Sequence, residues 1–191
     1  IEAHDELVGG IALHPNEVPR LAGAGRLDEA YAEVERCAAH DRIRVVGETG
    51  LDYFRTGPEG VPVQQDGFRW HIDLAKRLGK PLMIHDRDAH DDVLRVLDEE
   101  GAPPAVVFHC FSGDAAMART CVDAGYVLSF AGPVTFKNAA ELRAAAALVP
   151  DGQLGDQAMD RFEDPAERVA VARQDHPRGE GAGTALAERV E

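Results

Sequence analysis

The sequence predicts an α/β fold: part of a TIM-like (β/α)8 barrel with about five parallel strands, followed by an atypical C-terminal tail. Three observations predict it. Short β-type runs alternate with helically spaced segments from Leu7 to Pro150. Each pair of runs is separated by enough chain for a crossover helix, the signature of parallel pairing. Polar and charged residues follow every run, where a dinucleotide-binding fold would place a glycine-rich phosphate loop after the first. Chemistry gathered at the carboxyl ends of parallel strands is the rule for barrels.

The predicted strands are LVGGIAL (Leu7–Leu13), IRVVGE (Ile43–Glu48), PLMIH (Pro81–His85), AVVFHCF (Ala105–Phe111) and YVLSF (Tyr126–Phe130). Helical spacing in RLDEAYAEVERCAAH puts Leu27, Ala30, Tyr31, Val34, Cys37 and Ala38 on one face. QDGFRWHIDLAKRLG does the same with Phe68, Ile72, Ala75 and Leu78. Further helices fit AHDDVLRVLDEEG, DAAMARTCVDAG and NAAELRAAAALV, and several of these segments end in glycine, which tolerates a left-handed cap. Residues 1–150 therefore read as one partial barrel. Residues 151–191 read as a polar tail with no convincing β-run, one short helix at DPAERVAVARQ and weak order beyond it.

With 191 residues, 45% of them hydrophobic and 28% charged, the chain is long enough to bury a core. Its net charge of −14 argues against coating nucleic acid by bulk electrostatics. It does not exclude an enzyme that grips phosphate through a metal, because the cation supplies the attraction locally. No apolar run is long enough to cross a bilayer, and no export signal opens the chain, so no membrane partner is expected. Cys37, Cys110 and Cys121 show no paired spacing, which fits a reduced cytoplasmic setting. Cys110 is read as a packing residue, since strand neighbours point to opposite faces. No obligate protein partner is evident.

Three predicted strands end in good metal donors: Glu48, His85 and His109. Two histidines and a carboxylate leave coordination positions open for water and substrate. A lone strand-end histidine is more often structural, but three donors at one end of successive strands form a constellation.

The segments that carry these residues are VVGETGLDYF (Val45–Phe54), LMIHDRDAHDDVL (Leu82–Leu94), VVFHCFSG (Val106–Gly113) and YVLSFAGPVTFKN (Tyr126–Asn138). In order and spacing they resemble the TatD family of metal-dependent deoxyribonucleases, and GGIALHPNEV is similar to that family's third-strand motif. The resemblance implies a TIM-like barrel that holds one or two divalent cations (Mg2+, Mn2+ or Zn2+) and cleaves DNA phosphodiesters, often from a 3′ end. It implies Glu48, His85 and His109 as metal ligands, with Glu48, Asp52 and Arg87 as catalytic candidates. Ser112 and Lys137 match motif positions that orient ligands or contact phosphate. For Asp52 and Arg87, a salt bridge bracing the strand ends is the competing reading. His14 and His90 stand near the same rim, and for each a substrate contact is the less favoured reading.

Two departures shape the expectation. The family's His-x-His pair at its first strand is missing, and so is the aspartate of its last. The chain is therefore expected to enter the family pattern late, leave it near Pro150 and keep one half of a two-metal site. The alternatives to a DNA hydrolase are a degenerate, non-catalytic form of one and a related barrel hydrolase acting on a C–N or ester bond. The latter class favours a carboxylated lysine, and no lysine ends a predicted strand.

Overall fold

The computed structural model describes residues 7–155, and the short helix expected at DPAERVAVARQ lies outside them. Five strands form one parallel sheet: β1 (Gly9–Ile11), β2 (Ile43–Asp52), β3 (Leu82–Arg87), β4 (Val106–Phe108) and β5 (Val127–Leu128). They are hydrogen-bonded in the order β1-β2-β3-β4-β5. Spatial order that follows chain order without reversal is the winding of a barrel wall; a doubly wound sheet would double back. The α/β class and the five parallel strands are as the sequence predicts.

The helices are α1 (Glu17–Gly23), α2 (Leu27–Ala38), α3 (Val61–Leu78), α4 (His90–Glu100), α5 (Ala115–Asp123) and α6 (Ala140–Ala146). Their apolar faces cover the sheet. Phe68, Ile72 and Leu74 of α3, Val93, Val96 and Leu97 of α4, and Ala118 and Cys121 of α5 close on Val46, Leu82, Ile84, Val106, Phe108 and Leu128. Val34 and Ala38 are the buried residues of α2, and they belong to its predicted face. Helix α1 has no counterpart in the sequence reading. It spans only seven residues and carries Pro19 in its first turn, too short a stretch for periodicity to register.

Strand lengths differ from expectation in an instructive way. β2 runs on through Gly50, Leu51 and Asp52, whereas β4 stops at Phe108, short of the predicted Phe111. The reading of Cys110 as a packing residue is corrected here. It lies beyond the strand with φ at 50°, is exposed, and donates its backbone N–H to Ser129 Oγ at 3.1 Å. The alternation rule fails at Cys110 because the strand has already ended.

Packing continues past Pro150. Gln153 Nε2 donates to the carbonyls of Val122 and Tyr126 at 3.0 and 2.9 Å, and Leu154 makes an isolated parallel bridge with Leu128 of β5. That bridge puts the chain beside β5, where a following barrel strand would sit.

Candidate metal centre

The centre is built where β2 and β3 lie against each other. Pairing runs Val46 with Leu82, then Thr49 with Ile84 and Gly50 with His85, so three steps of β2 oppose two of β3. Such an irregularity re-aims the side chain it carries, which here is Glu48. Both glycines of GETG are required by close approach. A Cβ on Gly47 would sit 2.4 Å from Met83 Cβ, and one on Gly50, at φ 133°, would sit 2.1 Å from the His85 carbonyl oxygen. The motif is thus two glycines that admit β3 and the carboxylate between them.

His85 is the hub. Its Nδ1 lies 2.7 Å from Glu48 Oε1 and its Nε2 lies 3.2 Å from Asp52 Oδ2, so carboxylates flank both ring nitrogens. Burial pulls the His85 pKa down, but the hydrogen bond to Glu48 and the charges of Glu48 and Asp52 outweigh it, and the net shift is upward. Burial raises Glu48, yet the hydrogen bond to His85 and the charges of His85, His109 and His14 carry it below the ordinary carboxylate value. Asp52 behaves alike: burial raises it, hydrogen bonds from Asn16 and the Arg55 backbone lower it, and the lowering wins.

The two carboxylates differ in setting. Asp52 is 1% exposed; its Oδ2 accepts from Asn16 Nδ2 and its Oδ1 from the Arg55 backbone N–H, each at 2.9 Å. The side chain of Glu48 is 31% exposed. Asp52 has the setting of a carboxylate that orients a histidine, and Glu48 that of a ligand.

His14 arrives from the loop after β1. Donor atoms of His14, Glu48 and His85 all lie within 4.8 Å of one another, so the three converge on one place. Its ring meets the ring of His85 edge-on, with centroids 4.5 Å apart. His14 Nδ1 accepts from the Asn16 backbone N–H at 3.2 Å, so in the neutral ring the proton sits on Nε2. Burial and the nearby His85 push its pKa down and favour that neutral form.

The remaining sequence candidates fall around this cluster. His109 follows β4, close enough for its charge to act on Glu48, with Nε2 3.2 Å from Cys110 Sγ; it is not one of the three residues that converge within 4.8 Å. Arg87 lies over the ring of Phe54, its guanidinium carbon 3.9 Å from the centroid. The competing salt bridge between Asp52 and Arg87 is not formed, because Asp52 is taken up by Asn16, Arg55 and His85. His90 Nδ1 pairs with Asp86 Oδ2 at 2.7 Å, and His90 and Ser112 line a cleft of about 370 Å³ with Asp114, Asn138 and Glu141. Lys137 is exposed in the loop after β5.

Three supports lie outside the motifs that the sequence singles out. Asn16 holds Asp52, while Gln64, fully buried on α3, accepts from the Asp52 backbone N–H at 3.0 Å and donates to Thr56 Oγ1 at 2.6 Å. His71, also fully buried, accepts from the Leu13 backbone N–H at 3.0 Å through Nε2 and faces the Gly67 carbonyl through Nδ1 at 2.7 Å. The contact to Leu13 fixes the segment that delivers His14. One signal was available: Gln64 and His71 are seven residues apart, polar positions on the apolar face that also carries Phe68 and Ile72.

Barrel winding, with a carboxylate–histidine cluster where β2 and β3 meet, defines the class as a TIM-like barrel whose candidate metal donors stand at the carboxyl ends of its strands. The family described as TatD related DNase matches residues 1–154. The chain is 55% identical over 148 residues to the uncharacterized metal-dependent hydrolase TatD of Mycobacterium tuberculosis, covering 75% of this chain and 54% of that protein. To the uncharacterized metal-dependent hydrolase YabD of Bacillus subtilis it is 37% identical over 156 residues, 81% of this chain and 58% of that one. The crystal structure of YJJV, a TatD homolog from Escherichia coli, superposes with a TM-score of 0.70 at 28% identity, covering 80% of this chain and 57% of its own. The chain belongs to the TatD family. It spans a little over half the length of these relatives.

Proposed function

We propose that the protein is a divalent-cation-dependent phosphodiesterase acting on DNA, with Glu48 and His85 as ligands. The observation that carries the reading is the position of His85 between Glu48 and Asp52, at 2.7 and 3.2 Å. A metal-bound histidine commonly gives its second ring N–H to a carboxylate, and the buried Asp52 is placed to receive it. Glu48, the more exposed carboxylate, would hold the ion together with His85. When bound there, a divalent cation supplies water activation and polarisation of a phosphoryl oxygen.

The chain's own residues supply orientation and charge. Asn16 and Gln64 fix Asp52, Asp52 fixes the His85 ring, and His14 holds a proton on Nε2 beside the cluster, suited to a hydrogen bond with a phosphate oxygen. His109, which follows β4 and acts on Glu48 through its charge, would be the further histidine ligand. The DNA specificity is supported by the family description alone. An amide-cleaving reading is less well served: Lys76, Lys80 and Lys137 are the only lysines, and none ends a strand of the cluster.

The test is release of nucleotides from an oligodeoxynucleotide by the purified chain, with Mg2+, Mn2+ or Zn2+ and with chelator. Activity is expected with at least one of these ions, lost on chelation and reduced at least roughly a hundredfold by His85→Ala. Full activity in chelator would sink the metal reading, and hydrolysis confined to amides would sink the DNA reading.

A further inference from the structure

Among the described residues, the large hydrophobic side chains left exposed are Leu7, Phe54 and Phe136. Isolated exposed apolar residues are ordinary, but the setting of Phe54 is not. It is 61% exposed, two residues beyond Asp52, and the Arg87 guanidinium covers one side of its ring at 3.9 Å. Arg87 is two residues beyond His85 and is paired in register with Asp52. The Phe54–Arg87 pair therefore grows from the same two strand ends as the metal centre. Two extended residues span at most ~7 Å, on the scale of one nucleotide of backbone.

We propose that Phe54, braced by Arg87, is a stacking platform for an unpaired nucleobase next to the scissile phosphate. The proposal rests on the reading of the cluster as a DNA phosphodiesterase. An aromatic ring backed by a guanidinium has two features that hold bases without reading their sequence: a flat π face and a delocalised cation. The net charge of −14 sharpens the point. This chain has little bulk attraction for the phosphate backbone, so affinity has to come from the metal and from contacts to the base. Phe136 stands 59% exposed in the loop after β5, so both exposed aromatics lie on loops that follow sheet strands. Among the described residues, Phe54 is the aromatic with a cation seated on its ring.

The experiment titrates the whole chain against a short oligodeoxynucleotide carrying 2-aminopurine, whose fluorescence falls when the base is stacked. It is run in chelator and in Mg2+, with Phe54→Ala, Phe54→Leu and Phe54→Trp. Quenching is expected with the native chain and with F54W. Apparent affinity is expected to fall roughly tenfold in F54A and F54L. Leucine keeps the apolar bulk without the π face, so it separates stacking from burial. Metal binding by calorimetry should be unchanged in all variants. Equal quenching by the native chain and F54A, or none by the native chain in either buffer, overturns the platform. Stacking without DNA cleavage would leave the platform standing and remove the phosphodiesterase. Cleavage in which F54A treats base-bearing and abasic strands as the native chain does would remove only the platform.

Discussion

His85 carries two carboxylate partners and, without a metal, an upward-shifted pKa. A group that holds its proton above the ordinary value must release it when a cation takes the same lone pair. Metal affinity should therefore rise with pH through and somewhat above 6.5. Asp52→Asn should weaken metal binding by roughly 10–100-fold, the usual cost of removing an orienting partner. Calorimetry in buffers of different ionisation enthalpy reads both effects. No proton release by the native chain, or unchanged affinity in D52N, would show that Asp52 and His85 are coupled for structural reasons alone.

Helix α3 reaches the site through two buried side chains. Through Gln64 it ties the Asp52 backbone, and through His71 it ties the backbone of Leu13, just before His14. Burial holds His71 down at about 4, with the Gly67 carbonyl opposing, so the folded ring is neutral across most of the acid range. The sign follows from linkage. Between pH 6.5 and about 4 the unfolded chain takes this proton and the folded chain does not, so stability is present above 6.5 and falls as pH drops toward 4. The loss approaches about 3 kcal/mol over that window. Urea unfolding at pH 6.5 and 4.5 should show a smaller pH-dependent loss for His71→Gln than for the native chain. Equal losses would mean that other groups dominate the acid limb.

At the scale of the molecule, the acidic charge and the parallel wall set how a polyanionic substrate would be met. A protein that neutralises many phosphates loses affinity steeply with salt, by about 0.7 log units per log unit of salt for each phosphate on a single strand. At −14, with the attraction concentrated at the metal, log kcat/KM for an oligodeoxynucleotide should fall with a slope shallower than about −2 against log monovalent salt at fixed divalent ion. A slope near −5 would reveal a basic surface that the composition does not suggest. No helix among the described residues is long and apolar enough to cross a membrane.

The sequence by itself determined the class of fold, the order of elements and the neighbourhood of the site. βαβ spacing permits only parallel strands, and GETGLD and IHDRD announce a carboxylate and a histidine at strand ends, because buried strands seldom finish in such residues without a partner. What it did not determine is which donors meet. The sequence sets His14 near the rim without joining it to the donors, because one-dimensional spacing says nothing of where the loop after β1 returns; the contact of the buried His71 with Leu13 decides that. The sequence groups His109 with Glu48 and His85, and the structure sets it after β4 with its ring beside Cys110 and its charge acting on Glu48. Arg87, equally suited to a salt bridge or to phosphate, stacks on Phe54 because Asp52 is already satisfied by Asn16, Arg55 and His85. Local chemistry names the groups that can react. Only the register of β2 on β3, set by two glycines that admit a neighbouring backbone, decides the distances between them.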